Sequence, residues 1–155
     1  VHRQPGQYRP VTAPILILGI GNPSRGDDAL GPLCIAGLEA LGLAGVELLT
    51  DFQLQVEHAL DLAGRREVVF VDAAARGPAP FAFRPLTPAP DFTHTSHALP
   101  PEAVLATCAR VGVPPPQTAH VLAIRGYDFH LGAPLSPQAA SNLQAALAWL
   151  RQRYA

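Results

Sequence analysis

Apolar positions along this chain fall into two kinds of run. Ile15-Leu16-Ile17-Leu18 and Val68-Val69-Phe70-Val71 are uninterrupted, with no polar residue to turn toward water. Such runs predict strands buried on both faces, as in a parallel sheet covered by helices. Val46 to Thr50, closed by Asp51, and His120 to Ile124 predict two more short strands. Other apolar residues recur at helical spacings. They predict helices over Ala29 to about Leu41, over Gln53 to Ala63, from Pro100-Pro101-Glu102 to about Val111, and over Pro137 to Arg153. Gly64 suits the C-cap of the second of these and Ser136 the N-cap of the last. Phe81 to Leu86, with prolines on both sides, reads as an edge strand.

Strand and helix alternate, which is the doubly wound pattern. The expected fold is α/β: a single three-layer domain, a mostly parallel five-stranded twisted sheet with helices on both faces. It should occupy residues 14–155, behind a flexible N-terminal tail over residues 1–13. At 155 residues the chain is long enough for one core and shows no internal repeat.

Composition narrows the partners. Charged residues make up 15% of the chain, against about 25% in an average soluble domain, and the formal charge is -1. That leaves no basic footprint for nucleic acid or an anionic membrane and favours a protein or peptide partner. No apolar run approaches the roughly 20 residues that span a bilayer. No leader pattern precedes Ile15, so the expected compartment is the cytoplasm. Cys34 and Cys108 sit in helical stretches without metal or redox spacing and read as buried free thiols.

The densest chemistry follows the first strand: Gly19-Ile20-Gly21-Asn22-Pro23-Ser24-Arg25-Gly26-Asp27-Asp28-Ala29-Leu30-Gly31. Asp27 is placed to cap the first helix, which leaves Asp28 at the carboxyl end of the strand, where open α/β sheets place ligands. The dinucleotide fingerprint is broken, since Ser24 stands where its last glycine belongs. No phosphate-loop Gly-Lys-Ser or Gly-Lys-Thr and no Gly-x-Ser-x-Gly elbow occurs.

The pattern Gly-x-Gly-Asn, four residues, Asp-Asp, two residues, Gly resembles the N-terminal signature of the nickel-iron hydrogenase maturation endopeptidases. Val68-Val69-Phe70-Val71-Asp72-Ala73 and Ser96-His97-Ala98-Leu99 agree with that family in order and spacing. The resemblance runs from Ile15 to the last helix. It implies a hydrolase, a peptidase of aspartyl or metal-assisted type. Such an enzyme removes a C-terminal extension from a hydrogenase large subunit precursor after nickel insertion. It also implies that Asp28, Asp72 and His97 are the catalytic and metal-contacting residues, with the nickel supplied by the substrate. Two carboxylates and an imidazole form a mixed oxygen and nitrogen set suited to a borderline divalent ion. Where many members carry a Gly-Gly-Thr turn after the second strand, this chain has Asp51-Phe52-Gln53-Leu54-Gln55. Phe52, Gln53, Leu54 and Gln55 are therefore candidate substrate-recognition residues, resembling members that serve soluble NAD-linked hydrogenases. A rival reading with the same ligands is a non-enzymatic, nickel-dependent chaperone or checkpoint protein that binds the precursor without cutting it. His58, His94, His120 and His130 lack ligand spacing and read as surface or packing residues.

Overall fold

The two uninterrupted apolar runs lie at the centre of a five-stranded sheet. The computed structural model describes residues 13–90 and 98–155. Its strands are β1 (Ile15–Ile20), β2 (Val46–Asp51), β3 (Glu67–Ala74), β4 (Phe81–Pro85) and β5 (Thr118–Arg125). They are ordered β2-β1-β3-β5-β4. All neighbours are parallel except β4, which joins the edge antiparallel to β5. The helices are α1 (Leu30–Glu39), α2 (Ala59–Leu62), α3 (Pro101–Val111) and α4 (Pro137–Tyr154).

Period-two alternation divides the strand residues between two cores. Ile15, Ile17, Val69, Val71, Leu122 and Ile124 pack with Leu30, Cys34, Ile35 and Leu38 of α1 and with Leu143, Ala146 and Leu150 of α4. Leu16, Leu18, Val68, Phe70 and Val121 face the other way, onto Leu62 of α2 and Val104, Leu105 and Cys108 of α3. This is the expected three-layer domain. Both cysteines are buried and free. Among the described residues no helix is long and apolar enough to cross a membrane.

Two expectations need correction. The helix expected over Gln53 to Ala63 is a 3-10 turn at Val56–His58 followed by the single turn of α2. Its first residues, 53–55, stay non-helical, and Gln55 is extended at φ -135° and ψ 167°. Asp27 caps no helix: it lies inside a 3-10 turn, Gly26–Ala29, that leads into α1, and α1 has no side-chain cap. By contrast Ser136 does cap α4, accepting from Ala139 N. A buried charge sits just before β3. Arg65, 2% exposed, donates to Glu47 Oε1 at 2.6 Å, to Asp61 O at 3.0 Å and to Ala13 O at 2.9 Å. Those bonds satisfy the buried guanidinium and tie β2 to the start of β1.

Candidate active site

The chain leaves β1 for α1 and β2 on one side, then returns to place β3 on the other side of β1. This reversal opens a crevice at the carboxyl ends of β1 and β3, the topological switch point of an open α/β sheet. Asp28 enters it from the turn after β1, and Asp72 from the end of β3. Both carboxylates line one cleft of about 460 Å³. Phe52, Gln53 and Leu54 form part of its wall, and Leu99, Pro100 and Pro101 another part. Gln55 is exposed and does not line it.

Each carboxylate is held by a backbone amide. Asn22 N donates to Asp28 Oδ2 at 2.7 Å, and Ala73 N donates to Asp72 Oδ1 at 2.8 Å. Burial pushes the Asp72 carboxyl up to about 7, and the neighbouring Asp28 charge adds to the rise against the opposing Ala73 hydrogen bond. A carboxyl so placed exchanges a proton near neutral pH.

In the glycine loop the chain's own backbone approaches closely. A Cβ at Gly21 would stand 2.0 Å from Asp28 O, and one at Gly26 would stand 2.3 Å from Asp128 O. These glycines admit the chain's own backbone, and Gly26 also takes φ +56°.

Asp27, next to Asp28, faces away from the cleft and is fully buried. It accepts from Tyr127 N at 2.7 Å, Asp128 N at 3.0 Å, Ser136 N at 2.7 Å and Ser136 Oγ at 2.7 Å. Sequence reasoning missed this clasp because its partners lie a hundred residues further along the chain. His130 is exposed, paired with Asp128 at 2.6 Å, and is no part of the cleft lining. His120 stacks on Phe83 with ring centroids 4.5 Å apart, at the opposite end of β5. His97 and His94 lie outside the described residues. Ala98, which follows His97 in the chain, lines the cleft. Among the described residues no group of three or more His, Cys, Asp or Glu side chains is placed to hold a metal ion.

No protein-family model matches the chain, and no curated protein matches it. Solved structures do. HybD, a hydrogenase maturating endopeptidase from E. coli, superposes with a TM-score of 0.69 at 23% identity, over 90% of this chain and 93% of that one. The chain has the fold of the hydrogenase maturation endopeptidases. HycI, a [NiFe] hydrogenase maturation protease from Thermococcus kodakarensis KOD1, gives a TM-score of 0.68 at 24% identity, over 89% and 90% of the two chains. A hydrogenase 2 maturation peptidase from a Thaumarchaeota archaeon gives 0.62 at 19%, over 90% and 96%. The match covers about nine-tenths or more of each of those chains.

Proposed function

We propose that this protein is a [NiFe]-hydrogenase maturation endopeptidase, hydrolysing one peptide bond near the C-terminus of a nickel-loaded large subunit precursor. The observation that carries this reading is the pairing of Asp28 and Asp72 in one open cleft at the switch point of that fold. The nickel is part of the substrate. Asp28 and Asp72 offer it oxygen donors and His97 a nitrogen, a set suited to such an ion. The ion serves as the handle that brings the scissile bond to the cleft, and orientation converts a slow bimolecular hydrolysis into a local one. Peptide hydrolysis then needs a group that takes a proton from the attacking water and returns it to the leaving amine. The two carboxylates of the cleft, Asp28 and Asp72, are the candidates for these transfers. Phe52, Gln53 and Leu54 contact the precursor segment as it enters.

A time course of precursor mass tests this, with purified protein and either nickel-loaded or nickel-free precursor. The loaded precursor is expected to lose its extension and the empty one to stay intact. His97→Ala is expected to slow cleavage by more than about 100-fold, beyond the loss that follows removal of a supporting partner from a metal site. Equal cleavage of the empty precursor overturns the reading. Binding of loaded precursor with no change of mass replaces it with the checkpoint role.

A further inference from the structure

The segment after β2 that forms the cleft wall is non-helical where a helix was expected, and a buried histidine sits against it. His58 is 1% exposed. Gln55 N donates to its Nδ1 at 2.9 Å. A ring nitrogen that accepts a backbone N–H carries no proton, so the geometry assigns the neutral ring's proton to Nε2. Nε2 lies 3.2 Å from Asp51 Oδ2, off the line of a good hydrogen bond, so that contact is mainly electrostatic. The other oxygen of Asp51 accepts from Phe52 N at 2.7 Å.

The same segment is fastened to the cleft on both sides. Gly21 N donates to Asp51 O at 3.1 Å, and Leu99 N donates to Leu54 O at 3.1 Å. Leu54 is buried, whereas Phe52 is 66% exposed. A free loop would be expected to fold such a ring against its own apolar neighbours. Here the Gln55–His58–Asp51–Phe52 chain of contacts keeps it at the cleft mouth, where an exposed aromatic side chain serves as an anchor for a partner.

We propose that His58 is a positioning residue, which holds Phe52 to Gln55 in the shape that receives the precursor's C-terminal segment. It governs how well the precursor binds and touches none of the reacting atoms. This rests on the function proposed above. A wall shaped before binding spares the complex the entropy of ordering it, so loss of the latch appears in KM and leaves kcat in place.

The test compares parent, His58→Ala and His58→Asn. Asparagine places an amide oxygen near the position of Nδ1 and can accept from Gln55 N, while giving up the contact to Asp51. Two readouts are taken: amide hydrogen exchange over residues 52–55, and steady-state cleavage of nickel-loaded precursor. For His58→Ala, faster exchange at Gln55 and a KM raised about 10-fold with kcat little changed are expected, the effect of one lost hydrogen bond. His58→Asn is expected to restore exchange and to bring KM within about threefold of the parent, since it keeps the acceptor. Unchanged exchange in folded His58→Ala overturns the latch. Faster exchange with an unchanged KM, or a fall in kcat alone, overturns the positioning role. If the parent cleaves no precursor, the proposed function fails and the positioning role with it. The exchange readout then still decides whether His58 holds the wall.

Discussion

Asp27, Asp28 and Asp72 show how far identical side chains diverge once placed. Burial pushes the Asp27 carboxyl up, but its hydrogen bonds from Ser136, Asp128 and Tyr127 together hold it below the usual carboxylate range. A lowered folded-state pKa means stability that is present above the ordinary 3.8 and lost as pH falls through the folded value. Asp72 has the opposite sign. Its pKa is raised to about 7, so its contribution is fully present below 3.8 and is lost as pH rises toward 7. In chelator-treated protein, Asp72→Asn should therefore raise stability at pH 8 and leave it unchanged near pH 3.5. A rise of that size is worth about 4 kcal/mol for a dry group, and solvent screening of this partly exposed carboxyl brings the gain to about 2 kcal/mol. Urea midpoints at the two pH values check the sign. A loss of stability at pH 8 would mean that the ionised carboxylate is better satisfied than its surroundings imply.

Among the elements, the segment between β5 and α4 has no regular structure, yet it is fixed. Four hydrogen bonds converge on the Asp27 carboxylate, and Asp27 N donates back to Asp128 O at 2.7 Å. Gly132 N adds a bond to Ser24 O at 2.7 Å. The turn that carries Asp28 is thereby clamped to the start of α4, and Gly126 supplies the close approach, since a Cβ there would stand 2.9 Å from Asp27 Cβ. Asp27→Ala leaves the donors of Tyr127, Asp128 and Ser136 without their acceptor. The expected cost is about 3 kcal/mol, from buried groups left unpaired. A urea titration reads that loss directly, and a shift below about 0.5 kcal/mol, ordinary for a surface substitution, would show that the clasp is dispensable.

At the scale of the whole molecule, one sheet edge gathers the β1–α1 turn, the end of β3, the wall after β2 and the segment leading into α3. The parallel order makes this possible, because consecutive parallel strands deliver their carboxyl ends to the same side. A self-sufficient metalloprotease supplies firm ligands ordered by supporting partners, often with two histidines. Here the proposed set holds a single histidine, His97. If the ion arrives with the precursor, as proposed, the isolated protein is expected to retain no nickel through gel filtration and to leave unrelated peptides uncut. Stoichiometric nickel in purified protein, or cleavage of a generic peptide substrate, would contradict this.

Sequence alone determined the layers. Ile15 to Leu18 and Val68 to Val71 read as inner strands, because no face of them tolerates water, and alternation with helical spacings implied a mostly parallel sheet between two helix layers. The same logic put Asp28 and Asp72 on one sheet edge, since each follows the end of a parallel strand. Ser136 was legible as a cap because capping is local. Tertiary structure decided what depends on distant partners. Asp27 and Asp28 are alike in the chain, and only the return of Tyr127, Asp128 and Ser136 makes one a buried clasp and leaves the other in the cleft. Gln53 to Ala63 carries a helical pattern, yet burial of His58 beside Asp51 and the bond from Leu99 N to Leu54 O keep its first residues out of a helix. Periodicity records which residues face the core. Which hydrogen bonds outcompete a helix depends on groups brought near by the rest of the fold.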